Sequence, residues 1–243
     1  MNDKPSVIRE TDDEARRLAR VLVRAARYVA LAVIDPDTGF PYVSRVLVAT
    51  DSDGAPAILV SNLSAHTKAL SADTRCSLLA GEPGKGDPLA HPRISVQCVA
   101  EAVERDSDVY KRLRTRFITR HPKSKLYIDF PDFRFYRLVP QGASLNGGFG
   151  KAYILPAEDL MITGYSETDF AGREEEALQE LVVRVPDIAE RLAGQLGGLS
   201  PKKWRICGLD AAGIDLISGD SALRWEFQHP VRRLEDVYLG LPN

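Results

Sequence analysis

Ile58-Leu-Val-Ser-Asn-Leu-Ser-Ala-His-Thr-Lys-Ala-Leu70 is an apolar run that passes into Ser61 and Asn62, turns, and opens a short helix at Ser64-Ala-His-Thr-Lys68. The run predicts a strand and the Ser/Thr-rich start predicts a helix N-terminus. Around that terminus the sequence gathers hydroxyls, an imidazole, an ammonium and free backbone N–H groups. Unpaired N–H groups and the helix dipole favour an anion, so this segment predicts a phosphate site.

The flanks on both sides are strands and hairpin turns. Upstream, Tyr28–Ile34 and Tyr42–Thr50 are apolar, separated by Asp35-Pro-Asp-Thr-Gly39. Asp51-Ser-Asp-Gly54 then turns the chain into Ala57–Val60. Downstream come Cys76–Ala80, the Gly/Pro-rich loop Gly81–Pro92, Ile94–Val103, Phe133–Val139 and a piece around Leu145–Ile154. Strand following strand through tight turns argues for an antiparallel sheet closed into a barrel. Two helices flank it. Thr11-Asp-Asp-Glu14 reads as a capping box, with Ala15, Leu18, Ala19, Leu22, Ala25 and Ala26 on one face. Arg16, Arg17, Arg20, Arg24 and Arg27 lie mostly off that face, which predicts a solvated side. Asp106 is read as the cap of a second helix reaching about Arg120.

The pattern changes near residue 157. Arg173–Val183 and a stretch from Pro186 to about Leu196 read as helices. Lys203–Leu209, Ile214–Ile217 and Leu223–Phe227 read as a meander, closed by a helix over Val231–Leu239. The expected architecture is therefore α+β: a barrel domain over residues 1–156 and a small α+β domain over 157–243.

Composition narrows the function. The chain has 243 residues, 44% hydrophobic and 27% charged, with a formal net charge of −2. That balance argues against nucleic acid as a partner. No run approaches the ~18 apolar residues of a membrane span, and Met1–Glu10 lacks the apolar stretch of a signal peptide. Cys76, Cys98 and Cys207 are scattered and odd in number, so neither a zinc ribbon nor a disulfide scaffold is expected, and the reducing cytoplasm is.

Few residues stand out chemically. Arg45 interrupts the apolar strand Val43–Val48 and requires a partner if it faces inward. His66 is the one histidine beside the hydroxyl cluster. His91, His121 and His229 each precede a proline, which places them in turns or at element ends. No metal-ligand spacing joins them, so no protein metal site is expected, although a single histidine is enough for an axial haem ligand. Asn146-Gly-Gly-Phe-Gly-Lys151 fails the P-loop pattern and reads as a bulge or a close backbone approach. No Ser/His/Asp triad can be assembled.

Four stretches together resemble the FMN-binding split-barrel superfamily, the pyridoxamine 5′-phosphate oxidase-like proteins, and within it the haem-utilisation (HugZ-type) branch. They are the Arg45 strand, Ser61–Lys68, Arg93, and Asp132-Phe-Arg-Phe-Tyr136 with Gly147-Gly-Phe-Gly-Lys-Ala152. The resemblance covers residues 12–155 and implies an FMN-binding split barrel. It also implies a homodimer with the cofactor cleft at its interface. Carried onto this chain, it places the flavin phosphate on Arg45, Ser61, Ser64, His66, Thr67 and Lys68, and the ring edge along the backbone of Val46, Leu47 and Val48. The implied activity is an FMN-dependent oxidoreductase with no acid or base singled out. The alternatives are a haem-binding or haem-degrading protein on the same barrel, with His229 or His91 as axial ligand, and a non-catalytic dimeric binding protein. Two departures are visible. The turn reads Ala65-His-Thr-Lys68 where phosphate oxidases carry Ser-Arg-Lys. The C-terminal stretch Leu181-Val-Val-Arg-Val-Pro-Asp-Ile188 holds no histidine where relatives carry a His-Met-Asn-x-Asp-His motif.

Overall fold

The computed structural model describes residues 8–148, 150–198 and 203–241. Seven strands, β1 (Tyr28–Ile34), β2 (Pro41–Thr50), β3 (Pro56–Ser61), β4 (Arg75–Ala80), β5 (Arg93–Ala102), β6 (Phe133–Asn146) and β7 (Ala152–Pro156), form one antiparallel sheet. Their order is β3-β2-β1-β4-β5-β6-β7, and a further β3–β6 pairing closes six of them into a barrel. The closure works because β6 is long. Its first half takes β3 (Leu59 opposite Phe135) and its second half takes β7 (Ser144 opposite Ile154). The sequence divided this strand, because Pro140 interrupts its pattern. The register with β5 shifts there, between Gln97 and Cys98, and such a bulge tolerates the proline.

The decisive stretch lies where expected. Residues Pro56–Val60 are buried on both faces, as an unbroken apolar run demands. Ile58 and Val60 point into the barrel core beside Leu31, Val48 and Leu78. Ala57 and Leu59 point outward under Leu113 and Phe117 of α3 (Asp108–Arg120). Complete burial of a side chain such as Ile58 or Leu31 contributes about 2 kcal/mol.

α1 (Asp13–Ala25) packs Ala15, Ala19 and Val23 on the barrel core. Its cap is Asp12, whose carboxylate accepts from Ala15 N at 2.7 Å. Thr11 is outside the helix and donates its hydroxyl to Ile154 O, so the helix is capped one residue later than the box read from Thr11. Likewise α3 is capped by Ser107, which accepts from Tyr110 N at 3.1 Å. Asp106 precedes it with φ +71°. The glycine cluster is the β6–β7 turn, where Gly147 N donates to Lys151 O.

A second sheet, β8 (Arg205–Asp210), β9 (Gly213–Ser218) and β10 (Ser221–Glu226), has a core of its own. That core includes Leu181 of α4 (Glu174–Arg184), Leu192 of α5 (Ile188–Gln195) and Val237 of α6 (Leu234–Leu239). The arginines expected to be solvated meet this part of the molecule. Arg20 grips Glu226 with two hydrogen bonds, and Arg24 is buried against Asp210 at 3.0 Å.

Candidate functional site

The Ser61–Lys68 turn leaves β3 and starts α2 (Ala65–Ala72). Ser64 is its N-cap but makes no side-chain cap bond. Its hydroxyl is 2.6 Å from Ser61 O and donates to it. It therefore accepts from Thr67 Oγ1 at 2.9 Å and from His66 Nε2 at 3.0 Å. With Nε2 protonated, Nδ1 of His66 accepts from Ser44 Oγ at 3.1 Å. His66 thus ties the turn to β2 through both ring nitrogens. Burial pushes its pKa below the ordinary value, so it is neutral at pH 7. Ser61 Oγ donates to the Asp132 carboxylate at 2.6 Å. Thr67 is only 3% exposed, whereas Lys68 is exposed.

Arg45 lies elsewhere. Successive residues of a strand point to opposite faces. Ser44 faces His66. Arg45 stands on the outer face, its guanidinium 5.1 Å from the centre of the Tyr28 ring. Among the described residues no carboxylate forms an ion pair with it. Val46 and Val48 are core residues, while Leu47 is part of the outer face. Val48 is also spent along its backbone. Its N–H donates to Arg27 O, and its carbonyl accepts from His121 Nε2 at 2.9 Å. The residues assigned to one phosphate wall are therefore divided between two sides of β2.

What gathers at Arg45 is a cleft of about 450 Å³ on the outer face of the sheet. Tyr28, Ala30, Val43, Leu79 and Pro83 supply apolar walls, and Arg45 and Glu82 are the charges at its edge. Tyr28, Leu79 and Pro83 were not singled out in the sequence, because nothing local marks a strand's outer face as a wall. The alternation of β2 was the available signal for Ser44 and Arg45 facing opposite ways. The loop that brings Glu82 and Pro83 to the cleft carries His91 at its far end. The His91 ring packs on Gly84, where an added Cβ would come within 2.7 Å of Cε1. His91 Nε2 donates to Lys85 O at 3.0 Å, which leaves Nδ1 as the ring's acceptor. His121 is buried, and His229 is exposed beyond β10. Among the described residues no group of three or more His, Cys, Asp or Glu is placed to hold a metal ion. Nor is any helix long and apolar enough to cross a membrane.

Comparison with known proteins follows the same outline. The protein Atu2129 of Agrobacterium tumefaciens, of unknown function, superposes with a TM-score of 0.82 at 31% identity, over 98% of each chain. The non-canonical heme oxygenase HOZ of the Arabidopsis thaliana chloroplast is 33% identical over 116 residues. That match takes in 48% of this chain and 35% of HOZ, so the chain spans about a third of that relative's length. The heme oxygenase HutZ of Vibrio cholerae is 28% identical over 137 residues, 54% of this chain and 75% of HutZ. Residues 10–161 match the family described as CREG, beta-barrel. The match runs from the residues before α1, through the closed barrel, to just past β7, and so the chain belongs to the CREG β-barrel family, a split barrel of the pyridoxamine-phosphate-oxidase-like kind with relatives in the haem-utilisation branch.

Proposed function

We propose that this protein binds haem and takes part in its degradation, as a dimer. The observation that carries the reading is the outer-face cleft, in which an apolar slot adjoins one cation that has no carboxylate partner among the described residues. A flat hydrophobic ring with carboxylate arms needs that combination. The names of HOZ and HutZ support it. Tyr28, Val43 and Leu79 would flank the macrocycle, and Arg45 would hold a propionate. Of the four histidines, His66 is bonded through both nitrogens and His121 lies in the core. Of the two that remain, His229 is exposed beyond β10, whereas His91 is carried on the cleft's own loop and would be the residue to hold the iron. Bound haem would supply the iron at which oxygen chemistry takes place. The chain's part is to orient it and exclude water. The face around the cleft supports the dimer. Val43 is 60% and Ile154 56% exposed, with Leu47, Leu79 and Ile34 also open and small residues between them. Several large apolar side chains exposed on one sheet face are the kind of surface that a second copy can cover.

Flavin is the second reading, favoured by the uncapped start of α2 and the exposed Lys68 beside it. Against it, Ser61 and Ser64 are already engaged, Thr67 is buried, and Asp132 puts a negative charge at the turn. Sedimentation velocity with visible detection separates the two readings and reports mass as well. Haemin at micromolar concentration is expected to co-sediment, with a Soret band, at the mass of a dimer. Arg45→Ala should weaken binding about tenfold, the worth of about 1.4 kcal/mol, and His91→Ala should shift the Soret band. Haemin that stays free overturns the haem reading, and a monomer mass overturns the dimer. FMN that co-sediments and is lost with Lys68→Ala carries the second reading in its place.

A further inference from the structure

Cys76 and Cys98 are far apart in sequence, but the fold sets them directly opposite one another on β4 and β5. Both are free thiols on the core side of the sheet. The Cys98 thiol donates to Val96 O at 3.8 Å, and the Cys76 and Cys98 side chains are close enough to perturb each other's titration. Two residues along on both strands, Ala100 N donates to Thr74 O at 2.7 Å. By parity, Cys76 and Cys98 also form a hydrogen-bonded pair of the antiparallel ladder. Such pairs have Cα atoms about 5.5 Å apart, within the roughly 4.4–6.8 Å that a disulfide spans. Cys207 lies in the other sheet, and burial pushes its thiol up to about 11.

We propose that Cys76 and Cys98 are a cross-strand dithiol that a peroxide oxidises reversibly to a disulfide. The two side chains leave directly opposed positions toward the same side of the sheet, and both residues are among those lining a cleft of about 570 Å³ with Ala32, Ile34, Gln97 and Gln141. A peroxide is small enough to enter it. The neighbouring Cys98 lowers the pKa of the Cys76 thiol against the opposing effect of burial, while the neighbouring Cys76 and burial raise that of Cys98. Cys76 is therefore the attacking thiolate. It takes one oxygen of hydrogen peroxide to become a sulfenic acid, and one water leaves. The Cys98 sulfur then attacks the Cys76 sulfur and displaces the second water. Two thiols and one peroxide become one disulfide and two waters. The bond would close the base of the β4–β5 hairpin, whose tip is the Gly81–Pro92 loop. Residues already joined through the ladder gain little constraint from a bond, so its expected role is a switch rather than a staple.

The test is peptide mapping of the folded, full-length protein after hydrogen peroxide, with alkylation in denaturant. The expected product is a Cys76–Cys98 linked peptide, two hydrogens lighter than the separate thiols, with Cys207 alkylated, and dithiothreitol restores both thiols. Recovery of Cys76 and Cys98 as alkylated thiols, or as singly oxidised acids without a link, overturns the proposal. So does a link through Cys207. In Cys98→Val the sulfenic acid on Cys76 has no resolving thiol and is expected to be trapped by dimedone. An untrapped Cys76 there contradicts its role as attacking thiol.

Discussion

His121 shows how much one residue's surroundings decide. It ends α3, and its ring lies in the core with Nε2 donating to Val48 O and its face tilted on Phe117. Burial, with the charges of Arg120 and Arg27 adding to it, pulls its pKa down to about 4 against the opposing pull of the Val48 bond. The unfolded chain takes up this proton near 6.5 and the folded chain only near 4. Between those values the unfolded state binds more protons, so acidification favours it. The contribution is complete above about 6.5 and falls away toward pH 4, by on the order of 3 kcal/mol. Asp73 and Asp210, held at about 2 by arginines, add their own losses only at lower pH. Urea unfolding between pH 7 and 4 is expected to show this slope, and His121→Gln is expected to flatten it. An unchanged slope would assign the dependence to other groups. The sequence placed His121 at an element end through Pro122. It did not show the burial, because the strand that covers the ring is more than seventy residues away.

At the scale of elements, the Asp51–Gly54 turn joins β2 to β3. Asp51 N donates to Ala55 O, and Gly54 adopts φ +95°. A Cβ on Gly54 would meet Leu160 O at 2.9 Å, a carbonyl of the chain that leaves β7. Gly54→Ala therefore combines a left-handed backbone with a close backbone contact. It is expected to cost about 2 kcal/mol, read as a lower midpoint in thermal unfolding. No loss would mean that the turn relaxes. The hairpin turn itself was legible, since Asp-Ser-Asp-Gly is local chemistry. The divided use of β6 was not, because one half of that strand is paired by β3 and the other by β7. Only closure of the barrel brings those partners in.

Across the whole molecule, the strongest tie is a buried set of charges between the barrel helices and the second sheet. Arg224 holds Asp210 with two bonds at 2.7 and 2.8 Å and reaches Asp215 at 3.1 Å. Arg24 adds its own contact to Asp210, and Arg116 joins Glu174, Asp215 and Thr50 O. Burial lowers the Arg24 guanidinium to about 10 in spite of Asp210, so it remains charged at neutral pH. Removing one member leaves buried partners unpaired, which costs about 3–5 kcal/mol. Asp210→Ala is expected to lose that much in urea unfolding. Both tryptophans, Trp204 and Trp225, report on the second core. In the unaltered protein their fluorescence transition is expected to coincide with the far-UV circular dichroism transition. An earlier tryptophan transition would show that the network does not couple the two cores.

The sequence by itself determined most of the elements, the antiparallel closed-barrel class and the position of the turn after β3. Each of these follows from local propensity, apolar periodicity and turn residues. It also carried the family resemblance, which rests on the same stretches. The tertiary structure alone decided which side of β2 Arg45 takes, that His66 is a neutral bridge, that Arg20 and Arg24 of α1 meet the second sheet, and that Cys76 stands opposite Cys98. Those outcomes depend on strand register and on contacts between residues distant in the chain, and a side chain's partner is set by what the closed barrel brings beside it.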